Sequence, residues 1–448
     1  MPTPPRDQRV HLCVLAIVIL AFAPGSARLA GDTTRKVSIE SLLYDLKSPD
    51  PVRRQVAARE LAVVRYKPAI PQLIPLANDP VAAVRREVEL TLERLRDIEA
   101  RPGLVVFASD TESDIRSRAV AALVDLHLPH TDGVAGVLTN IRERIGYRPD
   151  RDLELVIEPD VPVDPSVIST LRAKIDDSER GIRRTAIRGL GILRAAPAVP
   201  DLLRVVREDR DAGLRFEGVR ALRKIGDASI GDDLVALLNI NADAVRNELI
   251  ATLGSMRYSG AVPELMRIVE QAKRTDVAGV LALAALADVA DPASAPLFHR
   301  FKDDKDDLLR LYANEGLART ADSSMKTQIA AARLVEKNAW VRTAQAFGLL
   351  RLGQSEYLDE LIRGLDSWTT RDLAKEYLRE TRGADRQALF TPRAASATAR
   401  AGLADVLGMI GDPDALPRLQ ELAHDSDKDV ARAAERATKR IAIASSGQ

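Results

Sequence analysis

Cysteine is nearly absent from this chain: its 448 residues contain one, Cys13. A single thiol excludes a disulfide framework and a thiolate zinc site. Histidine is scarce too, with His11, His127, His130, His299 and His424 the full set. Aromatic residues make up only 4%, so the core must be filled in thin layers by Ala, Leu, Val and Ile. Net charge is missing as well, since 65 basic residues balance 65 acidic ones. Tracking a phosphate backbone relies on net basic surface and counterion release, so nucleic acid is excluded as a partner. What is present is a globular composition, 46% hydrophobic and 29% charged. Its length is roughly three domains, and it is too apolar for a disordered chain.

Arg6 and Arg9 precede an apolar run from Leu12 to Ala23, followed by Pro24, Gly25, Ser26 and Ala27. A basic start, a short apolar stretch and small residues form the pattern of a secretory signal peptide, with cleavage expected after Ala27. The run is about twelve residues, whereas a bilayer span takes about twenty. The expectation is an exported protein, periplasmic or extracellular, with residues 1–27 removed; an N-terminal membrane anchor is the alternative. No later stretch is apolar and long enough for a membrane span.

Self-comparison carries the strongest signal. An apolar residue, an Arg directly after it and a further apolar residue eight positions on recur as Val84-Arg85 to Leu92, Ile115-Arg116 to Leu123 and Ile182-Arg183 to Leu190. The same element returns as Leu214-Arg215 to Leu222, Val245-Arg246 to Leu253, Leu309-Arg310 to Leu317 and Val341-Arg342 to Leu349. Val52-Arg53 to Leu61 is a copy slipped by one residue, and weaker copies start at Ala278, Ala399 and Val430. Consecutive starts lie 31–33 residues apart except for two gaps, of 67 and 58. A fixed period of this size marks an array of helical repeats.

Within a copy the apolar positions fall three and four apart, as in Ile182, Ala186, Leu190 and Leu193, which buries one face of a helix. A second helix opens with Ala69-Ile70-Pro71, Ala198-Val199-Pro200, Ala261-Val262-Pro263 or Ala415-Leu416-Pro417. Proline suits the first helical turn, where its missing N–H would have no partner. Gly226-Asp227 and Gly411-Asp412 end the preceding helices, since glycine adopts the left-handed C-cap conformation. Each unit is thus a helical hairpin that only stacking on its neighbours can bury.

These residues resemble HEAT repeats, and the period is similar to the short class named after phycobilisome lyase subunits. The resemblance spans residues 37–443 and implies an all-α α-solenoid, a right-handed superhelix of about twelve to thirteen hairpins. Such arrays mostly serve as binding surfaces. The reading divides the chain into residues 1–27, N-terminal repeats 37–146, a Pro-rich insertion 147–165, central repeats 166–366, a degenerate helical repeat 367–398, C-terminal repeats 399–443 and a tail, 444–448. The insertion holds six acidic residues against Arg148 and Arg151, and a short strand is expected from Leu153 to Ile157. The open array is expected to have contacts mainly between neighbours and a shallow surface without a deep pocket.

Little in the chain suggests chemistry. His127 and His130, with Asp125 and Asp132, have metal-compatible spacing but no third strong ligand, so they read as solvated or capping groups. No His-Glu dipeptide occurs, which excludes the di-iron hydroxylase chemistry seen on some HEAT-like folds. No nucleophile–base pair can be assembled. No catalytic, cofactor-binding or metal residue is therefore assigned, and no cofactor is expected. The repeated Arg53, Arg85, Arg116, Arg183, Arg215, Arg246, Arg310 and Arg342 read as a structural ladder pairing with carboxylates of the turns. Tyr147, Trp340 and Trp368 are candidate contact residues, since large aromatics concentrate at interface hot spots. The expected function is a non-catalytic exported scaffold offering its concave face to a protein or peptide. The alternatives are an enzyme accessory or lyase-like protein with a ligand or metal site near 147–165, and a purely structural role in an envelope assembly.

Overall fold

The computed structural model describes residues 38–128, 155–158, 161–274, 276–320 and 323–446. Among them every regular element is a helix, and the architecture is an all-α solenoid. Long helices run over Pro51–Val63, Ala82–Leu95, Ser113–Asp125, Arg180–Ile192, Ala212–Ile225 and Asp243–Ser255. The series continues with Val277–Val289, Asp307–Thr320, Ala339–Arg351, Ala397–Ile410 and Lys428–Ser446. Each of the eleven repeat starts found in the sequence is the second or third residue of one of these helices. The shorter helices between them include Ile70–Leu73, Val199–Glu208, Val262–Gln271 and Leu416–Ala423, each with its proline in the first turn. At Gly226 and Gly411 φ is 73°, and each glycine caps the helix before it. The aspartate that follows then accepts an amide hydrogen of the next turn.

Burial is continuous along the stack. One apolar layer runs from Leu42 to Leu349 and a second from Leu311 to Ile441, with Tyr312 and Tyr357 packed against both. Helices approach very closely where small residues meet. A Cβ placed on Gly191 or Gly254 would lie 2.7 Å from the Cα of Ala221 or Ala285 in the next repeat, so only glycine permits that spacing.

The arginines form a regular clamp. Arg85 pairs with Asp110 at 2.7 Å while its Nη1 donates to the Asp79 carbonyl. Arg116 pairs with Asp177 and donates to the Asp110 carbonyl, and Arg183 donates to the Asp177 carbonyl. The aspartates thus serve one arginine through the side chain and the next through the backbone. Burial pushes the Asp110 carboxyl up, but Arg85 and the Glu112 amide outweigh this and hold it below the ordinary carboxylate range. Arg310 pairs with Glu336 at 3.0 Å, and Arg400 with Asp425 at 2.6 Å.

The remaining members differ. Arg54, not Arg53, occupies the clamp position of its unit, bound to Asp79 and the Ser48 carbonyl; Arg53 reaches sideways to Asp45. Val52 is accordingly exposed. Arg246 pairs with Asp243 of its own helix, Arg342 donates to carbonyls of residues 333 and 336, and the Nε of Arg215 is buried without an acceptor.

Across the gap of 67, Ser113–Asp125 packs directly on Arg180–Ile192, and the Arg116–Asp177 bridge spans the insertion. The helix Pro165–Ala173 lies in this gap and contributes Val167 and Leu171 to the core. Residues 155–158 adopt no strand; instead the Ile157 amide donates to the Ile192 carbonyl at 3.0 Å and its side chain is buried.

The expectation of an open array with a shallow surface needs correction. Arg257 pairs with Glu380 at 2.8 Å, 123 positions away, and Arg440 pairs with Glu158 at 2.7 Å, 282 positions away. The superhelix curls far enough for its last helix to touch the insertion, and a half-open cavity lies on its inner side.

Candidate functional site

The cavity measures about 840 Å³ and is walled by five parts of the chain: the end of Asp243–Ser255, the end of Val277–Val289, the helix Arg371–Arg379 with its successor Gly383–Ala388, the second half of Ala397–Ile410, and Lys428–Ser446. Arg371–Arg379 and Gly383–Ala388 both lie in the segment expected to be a degenerate repeat, 367–398. The sequence of Arg371–Arg379 explains why it faces two ways. Leu373, Ala374, Tyr377 and Leu378 are buried, whereas Asp372, Lys375, Glu376 and Arg379, at positions i, i+3, i+4 and i+7, form one stripe along the cavity wall.

Tyr377 anchors this helix. Its ring stacks on Phe347 with centroids 4.4 Å apart and planes 6° from parallel, and its hydroxyl donates to the Glu315 carboxylate. Complete burial, with Glu315 beside it, pushes the phenol well above its usual range. Over both rings sits the Arg319 guanidinium, about 6 Å from each centroid.

Arg319 is the hub of the curl. Its side chain is only 2% exposed, yet it reaches Glu380 at 3.0 Å, Asp288 at 3.2 Å, Glu376 at 3.3 Å and Glu315 at 3.7 Å. Burial alone would lower its pKa; the surrounding carboxylates more than reverse that. Desolvation in turn raises the Asp288 carboxyl, against the pull of Arg319. Glu380 is shared between Arg319 and Arg257, so one carboxylate ties three repeats together. Lys375 and Arg436 similarly share Asp405, at 2.6 Å and 3.5 Å.

The cavity wall is richer in cations than in acids. Arg257, Lys375, Arg379, Arg382, Arg386, Arg436 and Arg440 face Asp288, Asp372, Glu376, Glu380 and Asp405. Arg257 holds a left-handed backbone, φ 51°, a conformation that costs a non-glycine residue about 1–2 kcal/mol. Behind the wall, Arg351 is half-buried with its Nε unmatched by any acceptor. Desolvation, then repulsion from Arg382, Arg319 and Arg257, lowers its pKa despite Glu380.

The residues singled out in the sequence lie elsewhere. Trp340 is half-buried and its indole N–H donates to the Thr369 carbonyl at 2.7 Å, so it joins its helix to the loop before Arg371–Arg379. Trp368, beside it, is 79% exposed. Tyr147 and His130 fall outside the described residues. His127 is buried with Nδ1 against the Leu123 carbonyl at 3.0 Å, and burial lowers its pKa. Among the described residues no three His, Cys, Asp or Glu side chains are arranged to hold a metal, and no helix is long and apolar enough to cross a membrane.

The cavity cluster was missed in the sequence although two signals mark it. Ser255, Asp288, Arg319 and Arg351 are the last or penultimate residues of successive long helices at spacings of 31–33, a polar row on the repeat period. Residues 372, 375, 376 and 379 show a charged face in what was read as decay.

Comparison with known proteins agrees with the repeat architecture. Residues 39–124 match the family described as HEAT repeats, and residues 399–425 match the PBS lyase HEAT-like repeat. No curated protein matches the chain in sequence. Among solved structures, an engineered protein is similar at 18% identity, covering 90% of this chain and 98% of its own, with a TM-score of 0.37. YibA of E. coli is similar at 14% identity over 65% of this chain and 98% of its own, also at 0.37.

Proposed function

We propose, from the premise that this chain is a HEAT-repeat solenoid, that it is a non-catalytic exported scaffold whose inner face binds a protein or peptide. The observation that carries this reading is the curl itself. Side chains from repeats more than a hundred positions apart converge on one wall, an arrangement that nearest-neighbour stacking alone does not require. Maintaining it immobilises Arg319 among four carboxylates, which is intelligible if the inner face is a preorganised surface. Trp368, exposed in the loop before Arg371–Arg379, offers an aromatic anchor. Export rests on the Leu12–Ala23 pattern alone, and cell fractionation with N-terminal sequencing of the mature chain tests it.

The binding role is tested by affinity capture with residues 28–448, comparing a cavity-face variant, Lys375→Glu/Arg436→Glu, with an outer variant at exposed arginines that do not line the cavity, Arg53→Gln/Arg300→Gln. A partner retained by the wild type and the outer variant but lost from the cavity variant supports the reading. A partner lost only from the outer variant, or none at any salt concentration, counts against it.

A further inference from the structure

We infer that the Arg379, Arg382 and Arg386 side of the cavity is a binding site for a compact, multiply charged oxyanion, carried on a phosphate ester or on a run of carboxylates. Of the seven cations on the cavity wall, Arg257, Lys375, Arg436 and Arg440 already have carboxylate partners. Arg379, Arg382 and Arg386 form no ion pair among the described residues; Arg386 gives its Nε to the Thr381 carbonyl, leaving its terminal nitrogens. Elsewhere in this chain arginines such as Arg54, Arg85, Arg116, Arg310 and Arg400 pair with acids, and others, such as Arg183 and Arg342, give their hydrogens to carbonyls; Arg379, Arg382 and Arg386, on two successive helices, stand out because all three face one cavity without an ion pair. Asp372 is the single lining carboxylate without an ion pair to set against them.

The neighbourhood is short of negative charge as well as open. Arg351 sits behind this wall, its Nε unsatisfied and its charged form disfavoured by burial and by Arg382. An anion seated at Arg382 would relieve that repulsion. Planar guanidinium forks suit phosphate and carboxylate oxygens equally, each taking two parallel hydrogen bonds. The volume, about 840 Å³, is within the range of small-ligand pockets, about 300–1,000 Å³. Because the chain as a whole is neutral, attraction of an anion to this place is local and not a consequence of overall charge. The inference stands independently of a protein partner.

Isothermal titration of residues 28–448 at about 0.1 M salt, where exposed charges beyond about 10 Å are screened, uses two probes: tripolyphosphate and a hexaglutamate peptide. Saturable binding of either supports the site, and the stronger of the two identifies phosphate or carboxylate as its chemistry. Arg379→Gln/Arg382→Gln alters two exposed side chains without partners and should keep the wild-type circular dichroism and melting temperature while weakening binding at least tenfold. Arg53→Gln/Arg300→Gln, two exposed arginines that do not line the cavity, should leave binding within twofold. Absence of saturable binding of both probes, or equal affinity in the Arg379→Gln/Arg382→Gln variant, overturns the inference, whatever the affinity-capture experiment shows.

Discussion

Replacing Arg319 with Met removes the hub of the curl while keeping apolar volume against Phe347 and Tyr377. Its four carboxylate partners respond differently. Glu376 is 38% exposed and can turn toward water, Glu380 keeps Arg257, and Asp288, whose carboxyl burial already raises to about 7, can take up a proton. Glu315 is only 6% exposed and cannot rehydrate in place. A buried carboxylate that loses its cation costs about 3–5 kcal/mol. Urea unfolding followed by circular dichroism should show a loss of that size. Arg319→Met/Glu315→Gln should recover much of it, because a neutral amide in the same space has no charge to desolvate and still accepts from the Tyr377 hydroxyl. A loss under about 1 kcal/mol, or equal losses in the single and double variants, would refute the electrostatic reasoning.

Two further outcomes follow from the stack. Glu89 is wholly buried beside Arg118 at 2.8 Å with its other oxygen unmatched, and burial raises its carboxyl to about 7 against the pull of Arg118. A raised folded-state value means stability is gained as pH falls from 7 toward 4.5, so Glu89→Gln should match or exceed the wild type at pH 8, by at most about 3 kcal/mol, and lose that advantage by pH 5; a pH-independent difference in urea midpoints argues otherwise. Gly254→Ala drives a methyl into the Ala285 backbone and should cost about 1–3 kcal/mol; an unchanged melting temperature would show that the two helices can move apart freely.

The repeat helices were legible because each buries its own apolar stripe, a local property that a period near 32 multiplies. The first clamp was misplaced by one residue for a reason also visible in the sequence. In regular copies the arginine lies seven residues before the buried leucine, as Arg85 does before Leu92, and counting back from Leu61 reaches Arg54. The curl was not legible. It rests on Arg257 with Glu380, Arg319 with Glu376, and Arg440 with Glu158, pairs separated by 57 to 282 positions, and no periodicity links them. The charged face of Arg371–Arg379 looked like decay because its apolar half is short, whereas its polar half faces the cavity.

The closure that creates the inner face is tested most directly by cross-linking. Cys13 is the chain's one cysteine, so residues 28–448 carrying Glu158→Cys and Arg440→Cys hold two thiols and no others. A short bis-maleimide should join them within one chain in high yield, seen as a mobility shift absent from either single variant. An extended array would keep these positions far apart, on the order of 100 Å for helices stacked at 8–10 Å, and failure to cross-link would contradict the closed inner face.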